Sequence, residues 1–409
     1  MYKLRITKKS LVLSICFLLM YIVAIFQIQT SGVQYIDELL GIISFAYIIY
    51  KYFSRSVRKK DYINKMVKAM IAMTSIGVLS NIIFKMQYGY WYVIEDMFLF
   101  FKPFLIFIAI YLFFEKENDT DNAIYLLGSL ARIFTIILTA YLIYFEFSDN
   151  LILGGYSEWV PIPSIKYYTF YAKYPAFLAM CIGILVVILI ADKKNNNWIY
   201  IILDCINLLF TQSGTAFIII FLVFAFRFVK HTRKIKWYHI CFLVIIGSLV
   251  GLNEIKEYIL NPTAARSIMF RYSIIAAMQF FPFGAGFSTY GGTVAGAAYS
   301  KLYIKYGFNT HWGMTGKGDV NFLYDTYYAM VIGELGIIGT IIYIIVIGTL
   351  FSQFNNVDSR SQMRYPLLLG LISVLVMGIG QGGLTSILGA LYMMILALLY
   401  KKAKLVKQV

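Results

Sequence analysis

Apolar runs about as long as a bilayer is thick recur along almost the whole chain, and no other property constrains the fold so strongly. A helix that crosses the hydrocarbon needs about 20 mostly apolar residues. Runs near that length fall at 11–29, 36–53, 66–85, 92–114, 123–147, 174–191, 238–253, 326–351, 366–379 and 386–400. The stretch 198–229 is interrupted by Thr211-Gln-Ser-Gly-Thr215, which reads either as a tight outer turn between two short helices or as the break of a re-entrant pair. Taken as two helices, it completes the expectation of an all-α polytopic membrane protein with about 12 transmembrane helices, a single integral membrane domain over 1–409. Composition agrees. With 60% of residues hydrophobic and 14% charged, there is too little polar surface to clothe a soluble core. Lys3, Arg5, Lys8 and Lys9 followed by an apolar run imitate a signal peptide, but the stretch from Gln27 to Ser31 offers no small-x-small cleavage site. That run is expected to remain as the first membrane helix.

A formal charge of +16 suits either a nucleic-acid binder or a membrane protein with basic cytoplasmic loops, and placement decides between them. With the N-terminus inside and the spans alternating, 25 of the 36 Lys and Arg residues fall in the inner segments and nine in the longer outer ones. Both termini are therefore expected in the cytoplasm, and no nucleic-acid partner is implied. Cys16, Cys181, Cys205 and Cys241 sit in apolar stretches without metal-ligand spacing and read as small core hydrophobes. No His/Cys/carboxylate cluster suggests a bound metal, and no cofactor is implied.

Two outer segments are too long to be turns: 148–173 and, between the ninth and tenth helices, 254–325. Both are rich in Tyr, Phe and Trp, which argues for packing on the membrane face rather than disorder. The larger carries Arg266 and Arg271, then Pro282-Phe-Gly-Ala-Gly286, then His311, Asp319 and Asp325. The two arginines, five apart, do not share a helical stripe but can approach one anionic group from its rim, and arginine's planar fork suits phosphate. The alternative is that they grip lipid head groups or solvate the loop. Gly284 and Gly286 permit close backbone approach to a ligand, or simply a turn. His311 is a candidate because histidine as a residue type exchanges protons near neutrality; the other histidines, His231 and His239, fall at the cytoplasmic side. Asp325, at the mouth of a helix, suits a cap as well as a catalytic role. Inside the spans, Glu95 and Lys102 are seven apart and expected to share a face pointing into the bundle; with Asp96, Arg132, Asp204 and Glu334 they form either a structural charge network or a substrate path.

The order of these features resembles the Wzy-type polysaccharide polymerases and the related O-antigen ligases. The resemblance rests on Arg266-x4-Arg271, Phe281-Pro-Phe-Gly-Ala-Gly286, and Asn321-Phe-Leu-Tyr-Asp-Thr-Tyr-Tyr328 leading into Glu334-Leu-Gly-Ile-Ile-Gly339. Asp325-Thr326 stands where the family has a His-Asn or Asp-Asn pair, so the asparagine is missing. Gly214 replaces the arginine of a Thr-x-Ser-Arg stretch, and the Lys166 to Lys173-Tyr-Pro175 segment keeps only basic character and a proline. The resemblance implies a metal-independent membrane glycosyltransferase in the bacterial inner membrane. It would join undecaprenyl-diphosphate-linked oligosaccharide repeat units into O-antigen or capsule chains on the outer face, alongside a flippase and a chain-length regulator. On that expectation Arg266, Arg271, Lys166 and Lys173 hold the diphosphate, and Asp325 or His311 takes the proton of the attacking hydroxyl. A ligase-like transferase and a lipid-linked oligosaccharide flippase or transporter are the rival readings.

Overall fold

The computed structural model describes residues 6–28, 32–54, 61–148, 154–155, 165–172, 174–193, 196–228, 256, 260–358 and 361–406. The helix expected at 238–253, together with Lys173, His231, His239, Cys241 and most of 148–173, lies outside these residues. Helices form where the apolar runs are. In order they are α1 (Lys8–Ile25), α2 (Ile36–Phe53), α3 (Asp61–Phe84), α4 (Tyr90–Phe113) and α5 (Glu117–Glu146). A short antiparallel ribbon, β1 (Gly154–Gly155) with β2 (Tyr167–Tyr168), precedes α6 (Pro175–Ala191), α7 (Trp198–Thr211) and α8 (Gly214–Phe228). Then come α9 (Ala265–Gln279), α10 (Thr293–Ala298), α11 (Lys301–Lys305), α12 (Tyr327–Asn355), α13 (Arg364–Gly380) and α14 (Ile387–Val406). Among the described residues, six helical stretches are long and apolar enough to cross a membrane: Lys8–Ile25, Val33–Phe53, Tyr62–Phe84, Tyr90–Phe113, Glu117–Glu146 and Tyr327–Asn355. Shorter apolar helices accompany them.

The bundle is built around α4, α6 and α14. Side chains are buried all round from Phe100 to Leu112, from Leu178 to Leu189 and from Leu388 to Ala403, as expected of helices that are apolar on every face. By contrast α2 and α3 pack on α4 and expose Ile42, Ile43, Ile82 and Ile83, a surface suited to lipid. Polar contacts sort the helix termini into two ends. At one end Lys9 donates to the Phe113 carbonyl (2.8 Å), Lys51 meets Glu115 (2.9 Å), and Lys402 bridges Glu117 (2.6 Å) and Asp121 (2.8 Å). At the other, Gln27 donates to the Ala172 carbonyl (2.7 Å) and the Lys301 N–H to the Met86 carbonyl (3.2 Å).

One helix is broken. The rings of Tyr327 and Tyr343 pack at 5.9 Å between centroids, although positions that far apart on a straight helix are separated by about 24 Å. The fold-back occurs at Gly336, whose φ of 61° and ψ of −161° lie outside the helical region and close to glycine alone. The segment 281–286 lies in the break. The carbonyls of Gly333 and Glu334, deprived of helical partners, accept from the N–H groups of Ala285 and Gly286 (both 2.9 Å), and the Ile338 N–H donates to the Pro282 carbonyl (3.3 Å). A broken helix in a membrane protein survives where other protein groups re-satisfy its backbone, and here the large loop does so.

Candidate functional site

The loop that mends α12 is held from below by side chains of α3 and α4. Asn81 pairs with both backbone groups of Phe287, donating to its carbonyl (2.9 Å) and accepting from its N–H (2.8 Å), while the Ser80 hydroxyl donates to the Gly284 carbonyl. Asp96 accepts from the Ser288 N–H (2.9 Å), and Glu334 accepts from the N–H groups of Thr289 (3.0 Å) and Tyr290 (3.2 Å). Of the two roles open to these glycines, close approach to a ligand or a turn, the close approach seen is to the chain itself. A Cβ on Gly284 would meet the Gly336 nitrogen at 2.3 Å, and one on Gly286 would meet Asn81 at 2.6 Å. Pro282, Gly284 and Gly286 thus serve chain-to-chain contact, and Glu334 is a buried anchor for loop amides rather than a lining of a path.

A more open cluster forms where the start of α9, the mouth of α12 and the end of α13 meet. Arg266 donates to the Gly380 carbonyl (3.1 Å) and faces the Asp325 carboxylate at 3.7 Å, and both side chains keep 29% of their surface exposed. Tyr324, half-buried, directly precedes Asp325 in the chain. Burial pushes the Asp325 carboxyl above the usual carboxylate range, and the nearby Arg266 guanidinium pulls it partly back. A partly dry carboxylate with a raised pKa beside an arginine, at the edge of a helix bundle, combines a proton acceptor with an anion-binding group. The N-cap position of α12 is Thr326, not Asp325, and no side chain caps it, so the capping role considered for Asp325 is not taken up. Asp325 is left to the cluster.

Other expected residues go elsewhere. Arg271 lies on the opposite side of α9 from Arg266, because five residues turn a helix by about 140°; it is exposed, with its guanidinium 5.1 Å from the Tyr272 ring centre. The two arginines therefore do not converge. His311 is exposed at the end of a short 3-10 turn, and only its backbone is engaged. Asp319 accepts from the Gly313 N–H (2.8 Å) within its own turn. Lys166 donates to the Ser148 carbonyl (3.0 Å) and lies over Phe145, while the neighbouring Ile165 carbonyl accepts from Gln212 (2.8 Å) in the α7–α8 turn. Lys173 lies outside the described residues.

The intramembrane charges do not make one network. Lys102 is buried and pairs with Asp37 and, at 3.4 Å, Glu38 on α2; Arg132 pairs with Asp192 (2.8 Å) and Asn197 (3.1 Å). Glu95 is exposed rather than turned inward, and the residue after it, Asp96, enters the bundle instead. Lys102 is covered because α4 is buried on all sides at its level, so sharing a stripe with it does not bury Glu95, a turn and more above. Asp37 and Glu38, the partners of Lys102, were legible only as acids opening an apolar run; Asp192 and Gly380 gave no signal that would pair them with Arg132 and Arg266 across the chain.

No protein-family model matches the chain. No characterised protein matches it either.

Proposed function

We propose that the chain is a multi-pass glycosyltransferase of the bacterial inner membrane that joins undecaprenyl-diphosphate-linked oligosaccharide repeat units into O-antigen or capsule chains. The observation that carries this reading is the meeting of Arg266 and Asp325 at the mouth of a broken membrane helix. On this reading the spans number about 12, both termini are cytoplasmic, and the cluster faces outward. Arg266 stabilises negative charge as the diphosphate departs, and Asp325 accepts the proton from the attacking sugar hydroxyl. Tyr324 and Tyr328, both half-buried beside the cluster, offer aromatic surface on which a sugar can stack.

The test is lengthening of purified lipid-linked repeat units by the reconstituted protein. Parental protein produces longer chains, whereas Arg266→Ala and Asp325→Asn, each shown to be folded, do not. Parental protein that moves lipid-linked sugar across vesicles without lengthening it would replace this reading with the flippase, and transfer of finished glycan to another acceptor would replace it with the ligase.

A further inference from the structure

Helix α9 carries an apolar surface on both sides, and only one of them is used inside the fold. Met269, Ser273, Ala276 and Phe280 face inward, against the loop and α12. The opposite stripe, Arg271, Ile274, Ile275, Met278 and, just past the helix, Phe281, follows the i, i+3, i+4, i+7 spacing of one helical face and is exposed throughout. At its C-terminal end the stripe adjoins α3: Phe280 packs on Phe84 at 4.9 Å, and Leu79, Ile82 and Ile83 of α3 continue the exposed apolar surface.

Cations stand at both ends of this stripe. Arg271 opens it. Lys305 lies over the Phe280 ring (5.5 Å), and Lys301 donates to the Lys85 carbonyl (3.0 Å) and lies over Tyr88 (5.0 Å). Among the described residues none of Lys85, Arg271, Lys301 and Lys305 forms an ion pair with a carboxylate. An apolar stripe with charge at both ends is satisfied when the helix lies along the membrane interface, since a helix standing upright would sink one of the cations into hydrocarbon. The geometry points to a docking surface for anionic phospholipid: acyl chains against Ile274, Ile275, Met278 and Phe281, and phosphate head groups at Lys85, Lys301, Lys305 and Arg271. This inference is independent of the reaction proposed above and removes Arg271 from the diphosphate site.

The experiment uses the full-length protein reconstituted in equimolar phosphatidylcholine and phosphatidylglycerol, with the lipid that stays bound after re-extraction quantified by mass spectrometry. Bound phosphatidylglycerol is expected to exceed phosphatidylcholine several-fold. That excess should fall to the bulk ratio in a variant carrying Lys85→Ala, Arg271→Ala, Lys301→Ala and Lys305→Ala, all exposed positions whose loss leaves the core intact. Parental protein at the bulk ratio, or a variant that keeps the excess, overturns the assignment. A spin label on Met278→Cys supplies a measurement that does not depend on the variant: a label just below the head groups, among the first acyl carbons, supports it. A label in water, the result expected if a protein partner covers the stripe, overturns it.

Discussion

Replacing Arg266 by glutamine removes the cation facing Asp325 while keeping a polar side chain in its place. At 3.7 Å the attraction between the two unit charges is about 1 kcal/mol at the dielectric of water and about 4.5 kcal/mol at an effective dielectric near 20. With 29% of each side chain exposed, the lower part of that range applies. An energy of 1.36 kcal/mol corresponds to one pKa unit, so the loss amounts to about one pH unit. The direction follows from the causes: burial raises the Asp325 pKa and Arg266 lowers it, so removing Arg266 lets it rise further. If Asp325 acts as base, activity is lost as pH falls through its pKa. The acid limb of kcat/KM for chain lengthening should therefore move about one unit toward higher pH in Arg266→Gln and stay near the parental position in Arg266→Lys. The readout is the position of the limb, not its height, because Arg266 is also expected to affect the rate. A limb that stays in place or moves to lower pH in Arg266→Gln would refute Asp325 as the titrating base.

Three further outcomes follow from the contacts. Gly284→Ala places a Cβ 2.3 Å from the Gly336 nitrogen at a φ of 77°, and should lower thermal stability in detergent by the equivalent of about 1–3 kcal/mol, with Gly336→Ala similar. Lys102→Met leaves Asp37 and Glu38 without their cation and should cost about 3–5 kcal/mol, most of it regained when both acids are also made amides; equal melting temperatures for single and triple variants would contradict the pairing. His311→Ala should lengthen chains within about twofold of the parental rate, since its ring is exposed and away from the cluster's contacts; a fall of about 100-fold, the scale of a lost general base, would reinstate it.

Apolar length made the helices readable. The expected run 36–53 coincides with α2, and 92–114 and 174–191 differ from α4 and α6 by one or two residues at a boundary. The break at Gly336 was not readable. The apolar run passes through it, and a glycine inside a membrane helix is ordinary; only the arrival of Pro282 to Gly286 turns it into a fold-back. The same limit governed the charges. Glu95 and Asp96 differ by about 100° of helical rotation, enough to send one outward and the other into the bundle, and nothing in the local pattern of an all-apolar helix chooses between them. For the candidate site, Arg266 and Asp325 were both singled out, yet their pairing depends on how α9 lies against α12, a tertiary fact. The five-residue spacing already separates Arg271 from Arg266 on a helix; that they do not approach one group from its rim depends on how α9 packs, with Arg266 turned to Asp325 and Arg271 exposed.

The mended helix has a consequence for how such a protein can be altered. Because the N–H groups of Ala285 and Gly286 complete hydrogen bonds begun by Gly333 and Glu334, the large loop is not an appendage that can be trimmed or exchanged between two finished helices. A graft that took residues 265–325 from another chain would leave the α12 break open in the bilayer, with carbonyls facing hydrocarbon. The smallest interchangeable piece extends through Tyr343 and must bring its own glycine at the bend, so a recombination that exchanged this loop would have breakpoints inside a membrane helix, not at its ends.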